Sequence, residues 1–436
     1  MKKSPGVSDN KDLLTLIQES EKKRETLREL SILLETWQDI SIEEQIKRRS
    51  SILSDIALLE SRDRKLCVTK LNEAGIISKP DANKVIEDAR HALRLSDETD
   101  DKSSRPVYSA YFPGLVDIVE DNGIPAFLVK EKDSLKIISR IEKEDITYHP
   151  PPKEQVPWLF PSGDRVLDYY GLDKALGDKP ADSFLYDELI SYHKAISELP
   201  SEEYYDLMAA WILHTYLLES LKYSPMICLF AVPERGKTRT GQGMIYLAYH
   251  GIHVESLRDA YLVRAANDLK ASLFFDVMDI WRKAQKNGTE DILLHRFERG
   301  AKVPRVLYPE KGPLRDTVYY SVFGPTIIST NEGVHRILET RAISINMPES
   351  IRAFENDVSP ESTIALKEHL VSFRARHLGE LLPDIPKPAK GRLGDILKPL
   401  QQMILLAKPE KEPSFLKLVK KLEEDRLIEK TSSLEA

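Results

Sequence analysis

Cysteine is nearly missing from this chain of 436 residues, with only Cys67 and Cys228 present. Neither a disulfide framework nor a thiolate zinc site is supported, and a reducing compartment is expected. Long apolar runs are missing too. The start, MKKSPGVSDNKD, lacks the apolar core of a signal peptide. The most apolar helical stretch, near 207–218, carries His214 and is too short to cross a bilayer. A cytoplasmic protein with no membrane partner is the expectation. Basic excess is also lacking. The net charge of −7 excludes a uniformly basic nucleic-acid coat, so any DNA contact must be local, as in a channel. No internal repeat and no primase-like metal cluster is visible.

Against these absences stands the segment from Pro225 to Thr240, PMICLFAVPERGKTRT. An apolar strand runs into Gly236-Lys237-Thr238, the end of a phosphate-binding loop. Glycine lets backbone amides approach phosphate oxygens, lysine places a charge at the β- and γ-phosphates, and threonine offers Mg²⁺ a hydroxyl. Pro233, Glu234, Arg235 and Arg239 complete the candidate cofactor-binding stretch. A helix over 237–249 would turn its positive end toward the anion. The first glycine of the usual pattern is replaced by Ala231, tolerable if that position keeps φ below zero.

A second apolar run, Leu273-Phe274-Phe275-Asp276, reads as a buried parallel strand ending in a carboxylate. An acid at such a tip holds Mg²⁺ beside the loop threonine, making Thr238 and Asp276 the candidate metal ligands. The residue that should polarise the attacking water is Val277. Asp279 takes that role from a shifted position, or the base comes from elsewhere, or hydrolysis is slow. A third strand, 325–330, ends at Asn331, whose amide can orient a water. A fourth, 342–347, follows Arg341. Apolar strands with polar tips describe an open parallel α/β sheet that binds ligands at the carboxyl ends of its strands.

In their order, Gly236-Lys237-Thr238, Asp276, the Ser-Thr-Asn ending at Asn331, and Arg341 resemble an AAA+ ATPase of the replicative-helicase branch. The likeness is to minichromosome-maintenance-like, superfamily-3-like and phage or mobile-element helicases, and it covers roughly residues 180–405. It implies an AAA+ P-loop core, with a parallel sheet between helices and a small helical lid, using ATP and Mg²⁺. It also implies catalytic roles for Lys237, Asp276 and Asn331, and makes Arg341 an arginine finger that reaches a neighbouring subunit's nucleotide. Arg336 is the rival for that role. Arg392, opening the pattern GRLGDILKPLQQMILLA, is similar to a sensor arginine of the lid. A ring, normally a hexamer, acting on single-stranded or forked DNA in replication is the implied assembly.

Residues 303–320, VPRVLYPEKGPLRDTVYY, read as a β-hairpin with a Lys-Gly turn. Lys302, Arg305, Lys311 and Arg315 decorate it, and Lys311 is the expected phosphate contact. In the resembled helicases a hairpin at this place lines the central channel.

The chain divides into a helical or coiled-coil-like region (1–95), an acidic linker (96–106), a small β unit (107–150), an ATPase core with an entry collar of helices (151–382), and a lid with a C-terminal helix (383–436). Leu13, Leu16, Ile17, Leu27, Leu30, Leu33 and Leu34 recur at helical spacing in the first region. It is either a self-packed bundle or a pairing helix that recruits a replication partner. Two other functions stay open. One is a slow ATP-switched assembly or loading factor, and the other is a P-loop kinase.

Overall fold

The computed structural model describes residues 24–57, 59, 61–87, 106–132, 134–143, 146–312, 314–333 and 335–434. Two units emerge, divided between Arg105 and Pro106. In the first, helices α1 (24–36), α2 (Ile42–Ala57), α3 (Ser61–Glu73) and α4 (79–87) bury one common apolar cluster. Leu30 and Leu33 join Ile52, Leu53, Ile56 and Leu71 there, while Leu27 is left 37% exposed. Leu13, Leu16, Ile17 and nearly all of the 96–106 linker lie outside the described residues.

The second unit opens with short strands. β1 (Val107–Tyr108) pairs in parallel with β6 (Ile146–His149), which is antiparallel to β5 (Ile141–Lys143). β2 (Leu115–Asp121), β3 (Ile124–Glu131) and β4 (Ser134–Ile138) form an antiparallel meander. Asn122 and Gly123, at φ 48° and 85°, make the tight turn between β2 and β3. The β unit expected at 107–150 is present, but it shares one core with the residues that follow. Arg374 donates to the carbonyls of Leu115 and Val116 on β2 and clamps the Glu219 carboxylate.

Helices α5 (Gly163–Leu176), α6 (Asp178–Ile196) and α7 (Glu202–Tyr216) follow. Every residue of α7 from Tyr204 to Tyr216 is buried. Such a helix, apolar on every side apart from the buried Asp206, His214 and Thr215, belongs inside a protein. The aromatics of this collar are core: Trp211 Nε1 donates to the Pro225 carbonyl (2.9 Å) and the Tyr216 hydroxyl to Leu247 (2.8 Å).

The central sheet has five strands, all parallel: β7 (Met226–Phe230), β8 (Gly251–Val254), β9 (Ser272–Asp276), β12 (Thr326–Thr330) and β13 (Ala342–Asn346). Their order across the sheet is β13-β7-β12-β9-β8. The sequence pattern had indicated four; β8, Gly-Ile-His-Val, is too short and mixed to announce itself. Helix α8 (Lys237–Leu247) packs on the sheet at a glycine, since a Cβ on Gly241 would fall 2.3 Å from the Phe274 ring. Between β8 and β12 lie α9 (Asp259–Asn267), α10 (Ile280–Asn287), α11 (Glu290–His295) and the hairpin of β10 (Lys302–Val306) with β11 (Thr317–Ser321). Arg296, fully buried, donates to Ala271, Val322, Pro325 and Thr326, tying the starts of β9 and β12 together. Burial without a carboxylate brings its guanidinium down to about 9.

After the short α12 (Arg336–Glu339) and β13, the chain closes with α13 (Pro360–His377), α14 (Gly391–Ala407) and α15 (Glu412–Leu434). The Ser359 side chain caps α13 through a reciprocal pair with Ser362. Residues 383–434 do not stand apart as a lid: α14 and α15 lie against α7 in the shared core.

Candidate functional site

Strand β7 delivers the loop 231–236 and α8 continues from it. Two loop residues have left-handed backbone, Glu234 at φ 67° and Gly236 at φ 73°. Ala231 is not among the residues with positive φ, so it meets the condition for replacing a glycine there. Space in front of Gly236 is open, because a Cβ there would meet nothing within 4 Å.

Lys237, almost fully buried, folds back over the loop and donates to the carbonyls of Ala231 and Val232, each at 2.8 Å. Burial lowers its pKa, and the nearby Asp276 opposes that shift. Thr238 Oγ1 donates to Asp276 Oδ2 at 2.8 Å. The two candidate metal ligands, thirty-eight residues apart, therefore meet.

Sheet order explains the rest. β12 pairs with β7 on one side and β9 on the other, with Thr330 opposite Phe230 and Ser329 opposite Asp276. Asn331, the next residue, is exposed at a strand tip between the phosphate loop and the acidic tip. Val277 is buried, and Asp279 precedes α10 in a left-handed conformation, φ 49°, which aspartate tolerates better than most residues. Glu332, which the sequence reading overlooked, is exposed beside Asn331, its amide held by the Thr330 hydroxyl. It is a second carboxylate in reach of that strand tip.

Several expected contacts fall elsewhere. Arg239 does not face the phosphate position: it donates to the carbonyls of Ile196 and Asn356 and lies 5.8 Å from the Phe354 ring. Arg235 pairs with Glu349 at 3.1 Å. The irregular segment 349–356 thus forms a wall beside the loop, with Phe354 between Arg239 and Arg352. No motif marks that segment, so only the folded chain reveals it. Pro233 and Glu234 stay exposed on the loop.

Arg341 and Arg392 come together at the far edge of the sheet. Arg341 precedes β13, whose Ala342 lies beside Met226 at the start of β7. The phosphate loop leaves the other end, roughly 17 Å away for five residues of strand. Arg341 donates to Ile337, while its buried Nε has no partner. Arg392 donates to Thr340 Oγ1 at 2.9 Å and is not at the phosphate loop, contrary to its expected sensor position. Both guanidiniums lie over Phe297, at 4.9 and 5.4 Å. Burial, then repulsion by Arg392, lowers the pKa of Arg341. Arg336 is exposed at the start of α12.

The hairpin is real but differs in detail. Ten residues, 307–316, join its strands, with a helical turn at Pro309–Lys311 in place of a two-residue Lys-Gly turn. Arg305 is not free for DNA: it binds Asp259 and Asp291, the latter at 3.0 Å. Lys302, Lys311 and Arg315 are exposed. Lys311 Nζ stands 3.6 Å from the Tyr308 ring centre, and Leu314 is almost fully exposed.

The molecule is thus an α/β protein with a five-stranded parallel sheet flanked by helices, in which the loop after β7 and the Asp276 carboxylate of β9 meet across the tip of the intervening β12. Comparison with known proteins finds no match to any family model, curated protein or solved structure. No helix of the described residues is long and apolar enough to cross a membrane. Among those residues no group of three or more His, Cys, Asp or Glu side chains could hold a metal. The residues at the loop still suit Mg²⁺ carried with a nucleotide, since Thr238 and Asp276 supply hard oxygen ligands and phosphate oxygens would supply others.

Proposed function

We propose that this chain is an ATP-hydrolysing AAA+ protein of the replicative-helicase type that works as a ring on DNA. The observation that carries the reading is the contact of Thr238 with Asp276 beside a left-handed Gly236 and a buried Lys237. Bound ATP and Mg²⁺ would supply the transferable phosphoryl group and the charge that neutralises it. Lys237 would exchange the carbonyls of Ala231 and Val232 for phosphate oxygens. Asn331 would orient the attacking water, and Asp279 or Glu332 would accept its proton.

The arginines support a shared site. Among the described residues neither Arg341 nor Arg392 forms a salt bridge, yet both crowd one ring. An anion from a neighbouring subunit would relieve that repulsion, and both lie too far from their own loop to serve it. Exposed Lys311, with Tyr308, Leu314 and Arg315 around the hairpin tip, suits a strand of nucleic acid by charge and stacking.

A second reading, a slow nucleotide-switched loading factor, is favoured by the buried Val277 where a base belongs. Steady-state ATPase with and without single-stranded DNA separates the two. Strand-stimulated turnover lost in Lys237→Ala is the expected result. ATP binding without turnover would favour the switch, and no affinity for ATP with Mg²⁺ would remove both.

A further inference from the structure

The amino end of the strands, opposite the loop 231–236, carries a cavity of about 100 Å³. It opens where the chain enters the parallel strands: Tyr249 lies just before β8, Lys270 just before β9, and Phe323 just before β12. Tyr111 from the β unit closes another side. Two cations line it, each against an aromatic ring. Lys270 Nζ is 5.7 Å from the Tyr111 ring centre, and Arg299 Cζ is 5.0 Å from that of Phe323.

Neither cation forms a salt bridge among the described residues. Arg299 donates Nε to Leu221 and one amino group, Nη2, to Leu218; its Nη1 has no hydrogen-bond partner among those residues. Glu219 is the one carboxylate on the wall, and Arg374 holds both its oxygens, so its charge is already matched. The Tyr249 hydroxyl completes the set. Its residue is 4 % exposed and the hydroxyl has no partner, an unfavourable state for a buried donor. Burial depresses the pKa of Lys270 and of Arg299, which an incoming negative charge would reverse.

We propose that this cavity binds a phosphate-sized anionic group through Lys270, Arg299 and the Tyr249 hydroxyl. Its volume has room for a phosphate and lies well below the ~300 Å³ at which pockets for whole small-molecule ligands usually begin. A free anion and a nucleic-acid backbone phosphate offer the same chemistry. Ser321, the last residue of hairpin strand β11, lines the cavity, so a strand following the hairpin would pass its mouth.

This inference does not depend on nucleotide turnover. The test is a ³¹P NMR titration of inorganic phosphate into the full chain carrying Lys237→Ala, which weakens the loop as a competing site. Saturable binding is expected, weakened about tenfold by Lys270→Gln, a lost charged donor, and roughly threefold by Tyr249→Phe. The second variant removes a single buried hydroxyl and keeps the ring, so folding is preserved. Failure of phosphate to saturate, or affinity unchanged in both variants, overturns the proposal. A short single-stranded oligonucleotide then separates the sources. Displacement of phosphate assigns a backbone phosphate, retention assigns a free anion, and the site stands in either case.

Discussion

Mixing two variants tests whether the proposed nucleotide site is shared between subunits. Arg341→Ala removes the guanidinium and leaves the phosphate loop whole; Lys237→Ala does the reverse. Within one chain these groups sit at opposite ends of a five-residue strand, roughly 17 Å apart along the sheet. An arginine side chain does not span that gap, so rescue must come from a second copy. Each variant alone should lose at least about 10³-fold in turnover, the lower range for a transferred arginine finger. In an equal random mixture, a working interface needs a loop from the Arg341→Ala chain and an arginine from the Lys237→Ala chain. Half of loops meeting half of arginines restores about a quarter of head-to-tail interfaces. Steady-state ATPase of the mixture should therefore approach a quarter of wild type, and dilution should abolish it. Arg341 contributes about 1 kcal/mol through its contacts with Phe297 and Ile337, so lost folding would not explain a thousandfold effect. If the mixture runs no faster than the sum of its parts, or Arg341→Ala alone keeps wild-type turnover, the shared-site argument is wrong.

Lys311→Ala should abolish strand unwinding in a fluorescent fork assay while leaving basal ATPase nearly intact; surviving unwinding would remove the hairpin contact. Arg305→Ala should behave differently, because it leaves Asp259 and Asp291 facing each other: melting should drop by a few degrees, for about 1–2 kcal/mol, with little direct effect on DNA affinity. Stability should peak near pH 6.5. His369 and His377, held by Asp173, Glu188, Asp182 and Glu380, have raised pKa values, so their contribution is complete below 6.5 and fades as pH rises through the folded values. His193 and His214, kept neutral by burial at about 3 and 4, work in the other direction, and stability falls as pH drops from 6.5 toward those values. Chemical denaturation across pH 4–9 measures both limbs, and His369→Gln with His377→Gln should flatten the alkaline one.

Much of the site could be read from local pattern. A strand buried on both faces is a continuous apolar run, so β7, β9 and β12 announced themselves, the edge strand β13 showed apolar residues alternating with exposed Ser344 and Asn346, and Gly-Lys-Thr marked the turn into α8. The hairpin was legible for the same reason, its two β-rich runs being broken by proline and glycine. Charged side chains were another matter. Arg305 and Arg239 look alike in sequence to solvent-facing cations, but each finds its partners dozens of residues away: Asp259 for one, Asn356 for the other. Arg392 resembled a lid arginine, yet it lies with Arg341 over Phe297, on a helix, α14, that packs against the collar helix α7.

Residue order alone was sufficient for the element types, the Gly-Lys-Thr turn into α8 and the acid that ends β9, because each follows from periodicity or from chemistry within a few neighbours. Folding in three dimensions decided how the strands are ordered, and so that Asn331 stands between loop and acid. It also decided which cations keep a free charge, and that the β unit and closing helices share one core with the sheet. Those outcomes depend on contacts between distant segments, and no local spacing encodes the partner across a sheet.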